Sequence, residues 1–342
     1  MPDSAASVRR RRRVFMLVLL LSVAVATVSI TLSVLRGSGS TPGAPREPAA
    51  DDATAPRTSV PGSGAVVFRS LDRADPANYG HVAWAPVDRP DQARTVTGLG
   101  CERVHFAAGH GICLVKAGKL GTSIKARLFG SDFRPTGELK LNGVASRARV
   151  APDGRLATVT AFVSGHSYAD VGAFSTRASI IDVERGREIA ELEDFAITKD
   201  GRRFDSLDFN FWGVTFANDS NRFYATLASG GSTYLVEGNV RARTATVLRE
   251  NVECPSLSPD NSRLVFKKLM RDPGVWRYHV LDLATMRETP LAESRPIDDQ
   301  AEWLDNRSVL YRTGEETWVV PADGGGRPQR FLSSADSPAV VR

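Results

Sequence analysis

Cysteine is scarce in this chain. Three among 342 residues are too few for a scaffold held together by disulfides, and none stands with a histidine at a spacing that suits zinc. Catalytic signatures are missing too: there is no G-x-S-x-G nucleophile elbow, no H-E-x-x-H and no phosphate-binding loop. Five histidines, His81, His105, His110, His166 and His279, are scattered along the chain and read as strand or loop residues rather than bases. His166 has Ser167 beside it, but neighbours in an extended strand point to opposite faces and do not make a nucleophile–base pair. No cofactor and no metal is expected. Excess charge is also missing from most of the chain. The formal charge is +5, yet Arg9 to Arg13 and Arg36, against Asp3, account for all of it, so residues 37–342 are balanced. That excludes the basic face by which nucleic-acid binders are known.

What is present begins with an address. Five arginines (Arg9–Arg13) precede an uncharged run from Val14 to Leu35, 22 residues long. At about 1.5 Å per residue such a run crosses the roughly 30 Å of a bilayer core. The arginines stay on the cytoplasmic side. This predicts a cytoplasmic basic tail (1–13), a transmembrane signal anchor (14–35) and an extracytoplasmic remainder. The competing reading is a signal peptide cut after Ala24-Val25-Ala26, leaving a secreted protein; the apolar run continues to Leu35, which favours retention. Residues 36–63 are rich in Gly, Ser, Pro and Ala without apolar periodicity, which predicts a disordered, flexible linker.

From Gly64 to the C-terminus the chain repeats itself. Short Val-, Ile-, Thr- and aromatic-rich runs are separated by turn residues, and long helical periodicity is absent. The unit is strand, Pro/Asp/Asn/Gly turn, strand: Val150-Ala151-Pro152-Asp153-Gly154 before Leu156, Phe216-Ala217-Asn218-Asp219-Ser220 before Phe223, Leu257-Ser258-Pro259-Asp260-Asn261 before Leu264, and Trp303-Leu304-Asp305-Asn306 before Val309. Copies also occur at Gly62 and Gly109. Successive turns are 47, 44, 66, 41 and 45 residues apart. A spacing near 40–45 residues suits four strands per propeller blade, and the 66-residue step holds one blade with added loops, so six blades are expected. The last strand, around Ser337–Val341, is placed to pair with Ala65–Phe68 and close the ring. The fold class is therefore all-β: a six-bladed β-propeller (64–342) behind one transmembrane helix and a disordered linker.

Leu257-Ser258-Pro259-Asp260-Asn261-Ser262-Arg263-Leu264-Val265-Phe266 resembles the inner hairpin of TolB-like and WD40-like (PD40-type) propellers, and Val280-Leu281-Asp282-Leu283 and Ala322-Asp323-Gly324-Gly325 resemble their outer hairpins. The hairpin is a folding motif, specific for architecture. The resemblance implies a protein-interaction or substrate-gating platform without enzymatic activity. The anchor departs from soluble, periplasmic TolB.

Candidate sites are few. Cys101 and Cys113, twelve residues apart across an expected turn, are a candidate disulfide if the domain lies in an oxidising compartment; the other reading is two small buried apolar side chains. Cys254 reads as core. Glu191, Glu193, Asp194, Asp200, Asp205 and Asp208 cluster, but Lys199, Arg202 and Arg203 among them favour a solvated loop over a calcium site. Two loops swelling the third blade, Val163–Thr176 and Glu193–Leu207, are candidates for a binding surface; Phe209, Phe211 and Trp212 read as core packing. The expected function is a binding platform, tethered through residues 14–35, for a protein or cell-envelope component, with no nucleic acid. The alternative is a propeller hydrolase or lyase whose catalytic groups converge in the central channel. Two acids, or a histidine with an acid, meeting there would favour the enzyme; a channel of small uncharged residues would favour binding.

Overall fold

An alternating strand with apolar residues on both faces cannot bury them in a sheet of its own; it needs a sheet on either side. In the computed structural model, which describes residues 59–60, 62–118, 123–163, 175–271 and 274–342, six sheets meet this need in a ring. The expected tail and anchor, nearly all of the expected linker and most of Val163–Thr176 lie outside the described residues. Among the described residues no helix is long and apolar enough to cross a membrane.

Blades 2, 3, 5 and 6 are four-stranded antiparallel sheets in chain order from the axis outward. Their inner strands are Arg103–Ala107, Val144–Val150, Glu253–Leu257 and Glu302–Trp303. Blade 4 has Asn210–Phe216 innermost. In blade 1 the inner strand is the last of the chain, Ala335–Val341, paired antiparallel with Ala65–Ser70 so that Ala65 faces Val341 and Val67 faces Ala339. The ring closes in this way, with no open inner edge. Folding starts a little before the expected boundary at residue 64. Val60 is 6% exposed, packs with Val104, Phe106 and Phe133, and donates its N–H to Ser131 O.

The core divides into six clusters, one per seam between blades. Strand alternation does the dividing. In Arg263–Met270, Leu264 and Phe266 face blade 4 while Val265 faces blade 6. In Ala65–Ser70, Ala65 and Val67 enter the seam with blade 2, and Val66 and Phe68 the seam with blade 6. Two strand glycines fit this packing by lacking a Cβ: at Gly111 and at Gly238 it would lie 2.0 Å from the rings of Phe129 and Phe223, their cross-strand partners.

The turn chemistry holds the ring at one end, here called the hairpin end. Asp153, Asp219, Asp260 and Asp305 each accept a backbone N–H from two residues on, and Asp219 a second from three residues on. The turns also clasp one another. Ser220 donates to Asp153, Asn218 N–H donates to Asn261 Oδ1 at 2.9 Å, and Asp260 N–H donates to Asn306 Oδ1 at 3.1 Å. Blades 3 to 6 are thereby linked through side chains of their repeat motif.

The stretch Glu193–Leu207 is not a solvated loop. It forms a short 3-10 turn and a hairpin, Ala196–Lys199 with Arg202–Phe204, whose first strand runs parallel to the outer strand of blade 4, Thr244–Glu250. This stretch belongs to blade 4, not blade 3, and enlarges it to six strands, while Val163–Thr176 joins two strands of blade 3. Apolar residues overlooked between the charges explain this. Phe195 and Ile197 are buried in the seam, and Phe204 meets the Tyr234 ring edge-on at 6.0 Å. Lys199 lies over Tyr234 and pairs with Glu250 at 3.0 Å. Phe211 is buried in the same cluster and Phe209 packs against it.

Candidate binding site on the propeller axis

Alternate residues of a strand share a face, so on an inner strand one set faces the axis. Arg103 and His105 are such a pair on blade 2, and Arg147 and Arg149 on blade 3. Blade 6 contributes Glu302, the closing strand Asp336, and the residue after that strand Arg342. Arg69 and Arg312 reach in from second strands.

These groups form two layers. In the first, the connection from blade 5 to blade 6 (residues 291–301) crosses the axis. Asp299 lies 3.2 Å from Arg103, 3.5 Å from Arg147 and 3.4 Å from Arg312. Its neighbour Gln300 donates to Pro255 O at 2.8 Å and Val214 O at 3.5 Å. Two consecutive residues thus touch blades 2, 3, 4, 5 and 6. Asp336 sits beside them, 3.1 Å from Arg69. Burial alone would push Asp299 up, but the three guanidiniums reverse this and hold its carboxyl at about 2.

In the second layer, nearer the hairpin end, Glu302 lies 3.1 Å from Arg149, 3.2 Å from Arg342 and 3.7 Å from His105. Arg149 also donates to Ser256 Oγ at 3.0 Å and Ala301 O at 2.9 Å. Burial works against the Glu302 anion, and Arg149, His105 and Arg342 overcome it, again to about 2. His105 accepts the Val150 N–H at Nδ1, 3.1 Å. Burial first, then Arg149 and Arg342, lower its pKa and keep it neutral. Above this layer a cavity of about 370 Å³ opens toward the hairpin end, lined by Val150, Phe216 and Leu257 together with Thr215 and Ser258, and with a rim that includes Pro152, Asp153, Asn218 and Pro259.

Acids and a histidine do meet on the axis, the arrangement named above as favouring an enzyme. Their chemistry points elsewhere. Asp299 and Glu302 are locked as anions against arginines, so neither exchanges a proton near neutral pH, and one nitrogen of His105 is committed to the backbone. Glu253, near Lys267 at 3.7 Å, is different: burial and Asp298 push it up to about 7 against Lys267 and Arg147.

The remaining sequence candidates are dispersed. Cys101 and Cys113 are joined in a disulfide between blades 1 and 2, Cα atoms 5.5 Å apart, while Cys254 is buried and free. His110 is exposed, and His279 is buried and pairs with Glu288 at 2.7 Å; His166 is outside the described residues. The acidic stretch does not converge. Asp205 pairs with Arg203, and Asp208 accepts Ser229 Oγ–H and Gly230 N–H at the neighbouring hairpin. Glu193 turns inward, accepting the Ala178 N–H at 3.0 Å and the Thr176 hydroxyl at 3.3 Å.

Burial pushes Glu193 up from 4.5 to about 7, against those donors. Between these values the folded protein holds a proton that the unfolded chain has released, so this site makes the fold less stable as pH rises through the window. Glu193→Gln removes that dependence. The variant is expected to gain on the wild type by about 1–3 kcal/mol between about pH 5 and 8, read from urea midpoints. A difference constant across that range would show that the Glu193 carboxyl titrates at its ordinary value.

Neither a protein-family model nor a curated protein matches the chain. Solved structures do. TolB from Acinetobacter baumannii matches with a TM-score of 0.59 at 14% identity, over 81% of this chain and 66% of that one. The fold is TolB-like. This chain spans about two thirds of the length of that protein. A chain of a nidogen/laminin complex matches with a TM-score of 0.50 at 11% identity, over 81% of this chain and 98% of that one. At these identities the likeness establishes the TolB-like architecture and leaves chemistry to the residues.

Proposed function

We propose that this protein is a binding platform: a TolB-like propeller outside the cytoplasmic membrane, held there by residues 14–35, whose axis receives part of a protein or cell-envelope component. The observation carrying this reading is the state of the axial groups. Arg69, Arg103, Arg147, Arg149, Arg312 and Arg342 face Asp299, Glu302 and Asp336, an arrangement cationic in sum and poor in proton-transferring groups. It suits recognition better than turnover. The Cys101–Cys113 pairing supports an oxidising compartment, and with it export, by a retained anchor or by secretion after cleavage. A propeller solved in a nidogen/laminin complex supports a protein partner.

Crosslinking and pull-down of the full chain from membranes tests the platform. Wild type is expected to retain a specific partner, and Arg342→Glu at the open mouth to lose at least tenfold of it. Equal recovery by both would move the binding surface off the axis. A second reading, a hydrolase or lyase, is favoured by Glu253, an acid near the axis poised around neutrality, with the axial Asp336 also pushed up by burial. Turnover of envelope material abolished by Glu253→Gln would establish it.

A further inference from the structure

We infer that the axial cavity is a site for a carboxylate carried on a short apolar stem, entering head first from the hairpin end. This rests on the platform reading only for its biological use; the site itself stands on shape and charge. Val150, Phe216, Leu257 and Val340 give the walls apolar ground between Thr215 and Ser258, Asp153 stands at the rim, and the floor is charged, so an occupant with a charged head and a short apolar body matches the cavity lengthwise. At about 370 Å³ the space lies at the small end of ligand pockets.

The floor specifies the sign of the head. Arg149 and Arg342 stand against one carboxylate, Glu302, and His105 is neutral. The two guanidiniums carry about ten N–H donors. The acceptors that answer them are Glu302, Ser256 Oγ, Ala301 O and Trp303 O; Arg149 Nε and Glu302 Oε2 are both buried without a hydrogen-bond partner. Donors therefore outnumber acceptors. The deeper layer cannot supply the missing anion, because Asp299 and Asp336 are matched by Arg69, Arg103, Arg147 and Arg312. Arg342 is the adaptable member: its side chain is 41% exposed against 11% for Arg149, so it can turn to meet a second carboxylate in the bidentate manner of arginine.

The chemistry fits two sources, a peptide terminus or a small free carboxylic acid, and the test separates them. The full chain in lipid nanodiscs is titrated by ligand-observed NMR, with empty nanodiscs as blank, using acetyl-Leu-Leu as free acid, the same dipeptide as amide, and hexanoate. Free acids are expected to bind at least tenfold more tightly than the amide. Binding of acetyl-Leu-Leu acid alone assigns the site to peptide ends, and binding of hexanoate alone to small acids. Asn218→Trp, which places bulk on the rim without touching the floor, and Arg342→Gln are each expected to abolish binding while leaving the melting temperature within a few degrees. Equal binding of acid and amide, no binding of any probe, or binding unchanged in both variants would overturn the proposal. Because no cellular partner is involved, failure here leaves the platform reading standing, and an empty pull-down leaves this site standing.

Discussion

Asp299→Ala is expected to destabilise the propeller by about 3–5 kcal/mol, the cost of leaving buried cations without their counter-ion. Three guanidiniums from three blades converge on this one carboxylate; the Asp299 side chain is 10% exposed, and those of Arg103, Arg147 and Arg312 are 22%, 17% and 33% exposed. Remove the carboxylate and Arg103, Arg147 and Arg312 repel across the axis. Asp299→Asn keeps the shape and the contact with the Gln300 N–H but not the charge, so an intermediate loss is expected. The pH dependence gives an independent reading. A carboxyl held at about 2 when folded and near 4 when unfolded contributes stability at neutral pH that is lost as pH falls through that interval. Urea midpoints of wild type should therefore drop more steeply below about pH 4 than those of Asp299→Ala. If Asp299→Ala matches wild type within about 0.5 kcal/mol, the crossing connection is a passive filler and the arginines are hydrated along the axis.

Why the ring was legible and the axis was not follows from what each asks of a residue. The hairpin turns need Asp, Asn, Gly and Pro at fixed offsets, and Asp153, Asp219, Asp260 and Asp305 stand there in the linear order. Closure needs only an alternating strand at the chain's end, and Ala335–Val341 supplies it. The axial cluster has no such local grammar. Asp299 and Arg103 are 196 residues apart, and nothing near either names the other. One signal was available: Arg103-Val104-His105 and Arg147-Ala148-Arg149 put charges at alternate positions of inner strands. Arg149 and His105 are largely buried there, which a soluble edge would not require and a polar axis does. The enlarged fourth blade was missed for the opposite reason. The charges of Lys199, Asp200, Arg202 and Arg203 masked Phe195, Ile197 and Phe204, which decide the packing.

Removing residues 335–342 should abolish the cooperative thermal transition altogether. The closing strand carries Ala335, Ala339 and Val341 into the seams on both sides of blade 1, and Val340, buried too, lines the axial cavity. Burying two valines and two alanines is worth on the order of 5 kcal/mol, within reach of the 5–15 kcal/mol that separates most folded domains from their unfolded chains. The same cut strips the ladder partners from Ala65–Ser70, takes Asp336 from Arg69 and Arg342 from Glu302, and leaves an open edge at the centre of the ring. Losses at neighbouring contacts compound rather than add. Limited proteolysis should then cut within blade 1 first, since the Ala65–Ser70 strand keeps only one ladder neighbour. The missing strand binds only the folded ring, so the free octapeptide supplied in excess should restore the transition by mass action, with a melting temperature that climbs with peptide concentration. A truncated chain that melts within a few degrees of the intact one would mean that the six seams hold the propeller without closure, and that the last strand is there for the axis it lines.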